Sequence, residues 1–444
     1  MQKASRKKKT IVCVGTLDTK AVEIEYVKNI IEKRGHRVIL VDTGILGKPG
    51  IPPDITREDV AAAAGSSLEE VVGIGNEKKA VEVFITGLGK LLNELHRTGK
   101  LDGVISLGGG MGTSMITAAM RQLPLGVPKF MVSTKVAHSG AAKEYMGTKD
   151  ITMVSSPADI AGLNRLTRKI MANAAGAVVG MVEGDEIELG DKPVVAMSMT
   201  GWTTQGASRV MSALEKENYE VVVFHGIGVG GRALEEFVKA EPVEAVIEFG
   251  MNEIGNELFG GMAMAGPHRL EAAGEKGILQ IITLGAVDYI NFLGVETMPP
   301  EHRKRTLVLH NPQATGARVT AEEMKILAGV IAEKLNKAKG PVKILVPNRG
   351  FSRWNEKGKT FYDPDADRGC LKVLREKLHP SIMYREIDAH INDDRFADAV
   401  VEEFRKSVQG EKTNQRPALA TGGGDVRNVT KELIKGRNGR SQKR

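Results

Sequence analysis

The sequence has little of what several classes of protein require. Aromatic residues make up 4% of the 444 residues, which is few for a surface that binds nucleic acids by stacking on bases. The two cysteines, Cys13 and Cys370, are too few and too far apart for a disulfide framework or a cysteine-based metal site. No apolar run reaches the roughly 18 residues of a membrane-spanning helix. We therefore expect a globular protein of the reducing cytoplasm, with no membrane as partner and no nucleic acid bound to its folded core.

Positive charge is concentrated at the two ends of the chain. The formal net charge is +7, of which residues 1–9 carry +5 and residues 409–444 carry +6, so the body between them carries −4. A basic nucleic-acid groove in the folded body is therefore not indicated. We expect residues 1–9 to be a basic tail and residues 409–444 to be a basic, disordered tail.

Apolar runs of strand length alternate with amphipathic segments along most of the chain. TIVCVG is followed by AVEIEYVKNIIEKRG and then by HRVILVD. This alternation is typical of parallel strands joined by crossover helices that cover both faces of a sheet. The pattern restarts after the polar stretch EGDEIELGDKP. We predict two Rossmann-like α/β subdomains, residues 10–185 and residues 192–408, the second completed by residues 341–408.

Three loops of the first half follow predicted strands and are rich in glycine and hydroxyl side chains. They are GTLDTK, GGGMGTS and STKVAHSG. Loops at the carboxyl ends of parallel strands converge on one crevice, and glycine amides at a helix N-terminus bind anions. Lys20 and Lys135 could neutralise phosphate charge, and Asp18 could hold Mg²⁺ through water or accept a hydrogen bond from a ribose hydroxyl. The alternative is a set of ordinary turns with Thr113 as a helix cap; the second loop is not a Walker A motif, because no lysine lies between Gly112 and Thr113.

The second half contains FHGIGVGGRALEEF, in which Gly226, Gly228 and Gly231 fit the spacing G-x-G-x-x-G. Glu248 lies about 20 residues further on, as in a dinucleotide-binding fingerprint. One alternative for this protein is therefore an NAD(P)-dependent oxidoreductase that uses Gly226–Gly231. Arg232, directly after the motif, fits the binding of a carboxylate or phosphate equally well.

Polar side chains at predicted strand ends of the second half are candidates for catalysis. Histidines and carboxylates in such places can form an acid–base or metal site, although solvated turns and helix caps give the same pattern. A small anionic metabolite would be held near Arg232, Glu253 and Arg269. The sequence assigns no nucleophile or general base, and the candidates are His225, Arg232, Glu253, Asp288 and His310.

The motifs together resemble the family of proteins that share the ATP-binding N-terminal domain of the tomato mosaic virus resistance protein. The resemblance covers roughly residues 10–408 and is carried by VGTLDTKAVEIEYV, ISLGGGMGTSMITAAMRQLPLGVPKFMVST, FHGIGVGGRALEEF, AGPHRLEAAG, INFLGVETMP, FYDPDADRG and EIDAHINDDRFA. It implies two Rossmann-like subdomains, ATP in the first, and a homodimer. Matched motif by motif, the nucleotide would contact Gly15, Thr16, Asp18, Thr19, Lys20, Gly108, Gly109, Gly110, Gly112, Thr113, Ser114, Ser133 and Thr134.

Two segments depart from the family pattern, EFGMNEIGNEL and KVAHSGAAKEYMGTKD. The expectation is an ATP-binding protein that uses Mg²⁺ and activates a small carboxylate held by the second half. The other alternative is a nucleotide-sensing interaction module without turnover.

Overall fold

The computed structural model describes residues 7–414, apart from residues 138, 139, 141, 186, 188, 312 and 313. Its first half is built from strands β1–β5 and helices α1–α6. Their bounds are β1 Thr10–Gly15, α1 Ala21–Lys33, β2 Arg37–Asp42, α2 Arg57–Ala64, α3 Leu68–Gly73, α4 Glu77–Arg97, β3 Gly103–Gly108, α5 Gly110–Met120, β4 Lys129–Ser133, a π-helical turn Ala142–Met146, β5 Ile151–Ser155 and α6 Arg165–Val182.

The first-half strands form one parallel sheet in the order β2-β1-β3-β4-β5. The β1 and β3 strands are buried on both faces because helices cover each side. Val12, Val104 and Phe84 belong to one hydrophobic cluster, and Cys13 and Ile105 belong to the cluster on the opposite face. Near-continuous β-branched and aliphatic runs are what a sheet covered on both sides requires.

The second half repeats this architecture and extends it. Its elements are β6 Val194–Met199, α7 Thr204–Lys216, β7 Glu220–His225, α8 Val229–Ala240, β8 Ala245–Glu248, α9 Asn252–Phe259, α10 Ala272–Lys276, β9 Leu279–Ile282, β10 Tyr289–Phe292, β11 Leu307–Asn311, β12 Ala314–Arg318, α11 Ala321–Asn336, β13 Val342–Pro347, α12 Pro364–Lys377, β14 Met383–Ile387 and α13 Asp394–Asn414. The parallel sheet has the order β14-β13-β9-β8-β6-β7.

The predicted α/β class, with two Rossmann-like halves and mainly parallel sheets, is confirmed. In both halves the first strand lies between the second and the third, so β6, β7 and β8 repeat the order of β1, β2 and β3. Strands β13 and β14, from the stretch predicted to complete the second half, join its sheet. A small antiparallel sheet, β10-β12-β11, was not predicted, because its short strands give little periodic signal.

Two further expectations concern the tails and the thiols. Helix α13 continues to Asn414, so the first residues of the segment predicted as a disordered tail are helical, and residues 1–6 and 415–444 of the predicted tails lie outside the described residues. Cys13 and Cys370 are free and buried, and burial raises the pKa of each thiol to about 12. Within the described residues, no helix is both long and apolar enough to cross a membrane.

Candidate functional site

A cleft of about 620 Å³ opens at the carboxyl ends of β1, β2 and β3. The connections from β1 and β3 leave in opposite directions across the sheet at this point, which is where doubly wound α/β folds bind their ligands. The volume lies within the usual range for small-molecule sites. The cleft is lined by Thr16, Asp18, Thr19, Lys20, Thr43, Gly44, Ile45, Leu46, Val71, Val72, Gly75, Asn76, Glu77, Ala80, Gly108, Gly109, Gly110, Met111 and Gly112.

The glycine loop forms one side of this cleft. Helix α5 begins at Gly110, and its first backbone bond to a preceding carbonyl runs from the amide of Thr113 to Gly109. The amides of Gly110, Met111 and Gly112 therefore have no acceptor within the helix and add to the positive end of its dipole. A Cβ built on Gly109 or Gly112 would meet no atom of the described residues within 4 Å, so these glycines keep the cleft open.

Asp18 lies on the opposite side of the cleft with one oxygen uncommitted. Its Oδ2 accepts from the amide of Gly47 at 3.1 Å, whereas its buried Oδ1 has no partner among the described residues. A Cβ on Gly44 would come within 2.9 Å of that Oδ1 and within 3.2 Å of an oxygen of Asp42. Burial raises the pKa of the Asp42 carboxyl, and the amides of Gly44 and Leu17 partly offset this. The carboxyl groups of Asp18 and Asp42, together with the absence of a side chain at Gly44, thus make a small recess lined by oxygen atoms.

An apolar wall completes the cleft and was missed by the sequence analysis. It is formed by Ile45 and Leu46 after β2, by Val71 and Val72 of α3, and by Ala80 of α4. Leu46 is 82% exposed, so its side chain is open to contact by a ligand. The signal was present, since loops after β2 border the ligand site in this fold, but helices α2–α4 were not predicted to fold over it.

Several residues predicted to contact the nucleotide lie outside the cleft lining. Gly15 packs under α1, where a Cβ would come 2.8 Å from Ile24. Thr113 and Ser133 are buried, and their hydroxyl groups are hydrogen-bonded to each other at 2.7 Å. Ser114 and Thr134 are half-buried and do not line the cleft. The hydroxyl groups of Thr113 and Ser133 are therefore occupied where α5 packs on β4, which corrects their predicted contact with the nucleotide, whereas the predicted contacts of Ser114 and Thr134 stay predictions.

The two lysines proposed to neutralise phosphate have different surroundings. Lys20 lines the cleft, but its ammonium group donates to the carbonyl of Ile160 and thereby ties the β1 loop to the segment before α6. The Cε of Lys135 lies 3.4 Å from the position of a Cβ on Gly110. Lys135 is therefore the lysine positioned over the glycine loop.

The second glycine motif has a different arrangement, because its amides bind a carboxylate of the same chain. The amides of Gly228 and Gly231 donate to Oε1 of Glu253 at 2.6 and 2.9 Å. Glu253 is fully buried. The carboxylate occupies the place that a dinucleotide pyrophosphate takes in a fingerprint loop, so the prediction of an NAD(P) site at Gly226–Gly231 is corrected.

Arg269 is likewise committed to carboxylates. Its guanidinium donates to Glu253 at 2.8 Å, to Glu235 at 3.0 Å, and to Glu248 at 2.6 and 2.5 Å. Burial alone lowers the pKa of Arg269, but the adjoining carboxylates, Glu248 foremost, raise it well above its usual value. Glu248 also accepts from the hydroxyl of Ser198, so it is not free for a ribose. The expected metabolite site at Arg232, Glu253 and Arg269 is therefore corrected, since two of its three members neutralise each other.

The remaining catalytic candidates lie in separate environments. Asp288 is fully buried and accepts from the hydroxyl of Ser352 at 2.7 Å, and burial raises the pKa of its carboxyl. His225 ends β7 and is exposed, and His310 is exposed with its ring edge-on to Trp202 at 6.2 Å. Arg232 is half-buried on α8. The candidates therefore do not form one acid–base site, and the described residues contain no group of three or more His, Cys, Asp or Glu placed to hold a metal.

Comparison with known proteins identifies the two halves. The N-terminal domain of the uncharacterised protein family UPF0261 matches residues 9–186, and its C-terminal domain matches residues 192–408. A UPF0261 protein of Clostridium tetani is 40% identical over 398 residues, which cover 89% of this chain and 98% of that protein. The tomato (Solanum lycopersicum) ToMV resistance protein Tm-1(GCR237) is 32% identical over 449 residues, covering 96% of this chain and 59% of that protein.

Among solved structures, an uncharacterised protein of Bacillus cereus covers 79% of this chain and 94% of its own, with 11% identity and a TM-score of 0.25. The resemblance drawn from the sequence motifs is confirmed by the family matches and by the tomato relative. On these matches, the chain belongs to the UPF0261 family.

Proposed function

We propose that this protein binds ATP in the cleft at the carboxyl ends of β1–β3. The observation that carries the proposal is the pairing, in one cleft, of an apolar wall with a glycine loop whose first helical amides are unpaired. The base would pack against Leu46 and Val72, and the phosphates would lie against Gly109–Gly112 with Lys135 above them. Backbone amides at a helix N-terminus can take phosphate charge without a Walker lysine.

The proposal includes Mg²⁺, and the residues present fit that ion. Mg²⁺ is bound through one or two carboxylates, with waters and substrate phosphates completing its shell. Asp18 offers a buried Oδ1 without a described partner, and Thr43, whose buried hydroxyl also has no partner among the described residues, lines the same cleft. Asp18 would hold the ion directly or through water. The ion would neutralise phosphate charge, while the chain supplies the amides, Lys135 and the apolar wall.

The test is calorimetric titration of the full chain with ATP and Mg²⁺. Gly112→Leu fills the cleft without meeting any described atom at its Cβ, and we expect it to weaken ATP binding by roughly 30-fold, or about 2 kcal/mol. The matched control is Gly180→Leu, an exposed helical glycine of α6 whose Cβ position is equally open. Unchanged affinity in Gly112→Leu would rule out this cleft as the nucleotide site.

Binding of ATP in this cleft does not by itself imply that the protein hydrolyses it. Activation of a carboxylate at Arg269 and Glu253 has no support in the geometry, because those residues are paired with each other. Steady release of ADP on adding candidate carboxylates would favour an ATP-dependent enzyme, whereas binding without release would favour a nucleotide-sensing module. The homodimer stays a prediction, which sedimentation velocity checks, and the cytoplasmic location stays one as well.

A further inference from the structure

A second cleft, of about 590 Å³, lies where the two halves meet. We call it the interdomain cleft. The first half contributes the end of α5 and the segment between β4 and β5, and the second half contributes the start of α8. Its charged lining consists of Arg121, Lys143, Glu144, Lys149, Arg232 and Glu236. Basic side chains therefore outnumber acidic ones, and they come from both halves.

One pair of opposite charges in this cleft is already satisfied. Glu236 of α8 accepts from the hydroxyl of Thr148 at 2.8 Å and pairs with Lys149 at 3.1 Å. These contacts join the halves directly. Lys149 and Glu236 cancel each other, so the remaining charge of the cleft is set by Arg121, Lys143 and Arg232 against Glu144.

Arg121 is held in place by groups that do not neutralise it. Its Nη1 donates to the carbonyls of Glu144 and Tyr145 at 2.7 and 2.9 Å. Burial lowers the pKa of Arg121, and Glu144 and Glu236 offset this only in part. The guanidinium is thus positioned by backbone oxygens, while its Nε and Nη2 donors have no acceptor among the described residues. A half-buried guanidinium that is held by carbonyl oxygens, with its charge only partly offset, favours the binding of an anion.

Arg232 faces the same cleft from the second half. It lies in the first turn of α8 and has no carboxylate partner in the described part of the chain. The amides at this helix N-terminus are occupied by Glu253, so an anion here would be bound by side chains. Two guanidinium groups from different halves can each present a planar pair of donors to one multiply charged oxyanion.

We propose that the interdomain cleft binds a small, multiply charged oxyanion, a phosphate ester or a di- or tricarboxylate, between Arg121 and Arg232 with Lys143 beside it. The site goes beyond the nucleotide cleft. Helix α5 has 11 residues, so its rise separates the glycine loop from Arg121 by about 16 Å. An anion bound to both halves would add a contact between them.

The experiment is titration of the nucleotide-free full chain with pyrophosphate and, separately, with citrate, at low ionic strength because exposed charges are screened by salt. We expect at least one probe to bind to the Gly112→Leu chain, in which the loop proposed for the phosphates of ATP is blocked, as well as to the wild type, and the stronger probe distinguishes the phosphate source from the carboxylate source. Arg232→Met should weaken binding at least tenfold. Arg97→Met, which removes an exposed charge on α4, is the control for net charge and should leave affinity within twofold.

Two more variants show which cleft holds the anion and whether the guanidinium of Arg121 is needed to bind it. Binding that is present in the wild type, lost in Gly112→Leu and unaffected by Arg232→Met would place the anion on the glycine loop and overturn the proposal. Arg121→Lys retains charge but loses the planar donor pair, so it should bind more weakly than the wild type even if Arg121→Met does not fold. Absence of binding by both probes, or equal effects of Arg232→Met and Arg97→Met, also overturns it. These titrations use no ATP, so their outcome at the interdomain cleft does not decide whether ATP binds in the cleft at the carboxyl ends of β1–β3.

Discussion

Two glycine-rich loops of this protein each precede a helix, but only one of them has its anion-binding amides occupied. In the first half, the amides of Gly110–Gly112 face an open cleft, whereas in the second half the amides of Gly228 and Gly231 bind Glu253. Near the first loop, Asp18 and Thr43 each have an oxygen without a partner among the described residues, while near the second loop Glu235 and Glu248 are both bonded to Arg269. A glycine-rich turn before a helix thus provides anion-binding amides, and the neighbouring residues decide whether the anion comes from outside.

The largest expected effect follows from removing the internal anion of the second loop. Glu253→Gln keeps the shape of the side chain but sets an amide against Arg269 and weakens the acceptor for two buried amides. Arg269 keeps Glu248 and Glu235 as partners, but two buried amides and its Nε lose their charged acceptor, which costs about 3 kcal/mol of unfolding free energy that denaturant unfolding would measure. The control is Glu275→Gln, whose pair with Lys239 is half exposed and should contribute less than about 1 kcal/mol. Equal losses in the two variants would contradict a structural role for Glu253.

A second effect concerns pH and the buried carboxyls of the second half. Burial raises the pKa of Asp367 to about 6, with Arg318 opposing part of this rise and Asp288 adding to it. Because the folded-state pKa is above the unfolded one, this group's contribution to stability is fully present below about pH 4 and is lost as pH rises towards 6. A difference of one between the folded and unfolded pKa is worth about 1.4 kcal/mol, so the loss is about 3 kcal/mol.

Asp367→Asn should remove that dependence, and the measurement is the unfolding free energy at pH 4 and pH 7 in the wild type and the variant. The wild type should lose about 3 kcal/mol more than the variant between these pH values, apart from titrations that the two share. Asp365→Asn changes an exposed carboxylate on the same turn of α12 and should keep the wild-type slope. An unchanged slope in Asp367→Asn would show that another group is responsible.

The fold could be predicted from the sequence because apolar runs and amphipathic segments each have their own period. The strand TIVCVG is β1 with the predicted bounds, and the restart of the pattern indicated the second sheet. The strands β10–β12 escaped prediction because each has four or five residues and their pairing depends on tertiary contacts.

The position of the candidate site could be predicted from the sequence, but not all of the residues and contacts that form it. The loops after β1 and β3 were found because glycine and hydroxyl residues follow strands, and both line the cleft. The motif could not show that Thr113 and Ser133 bond to each other, since the rotation of α5 sets which side chains are buried. Nor could G-x-G-x-x-G reveal Glu253, which lies on another helix 22 residues after Gly231.

The smallest expected effect tests whether a carboxylate placed beside the first loop makes it resemble the second. Met111 lies in the first turn of α5, lines the cleft and is 47% exposed, so both Met111→Glu and the neutral, equally long Met111→Gln should fold. The glutamate would repel the phosphates, and at a partly solvated site one like-charge contact is worth about 1 kcal/mol or slightly more. Titration with ATP and Mg²⁺ should therefore show binding to Met111→Glu about tenfold weaker than to Met111→Gln. Equal affinities for the two variants would mean that no phosphate lies at this loop, and the contrast between the open and the filled loop would then have no consequence for binding.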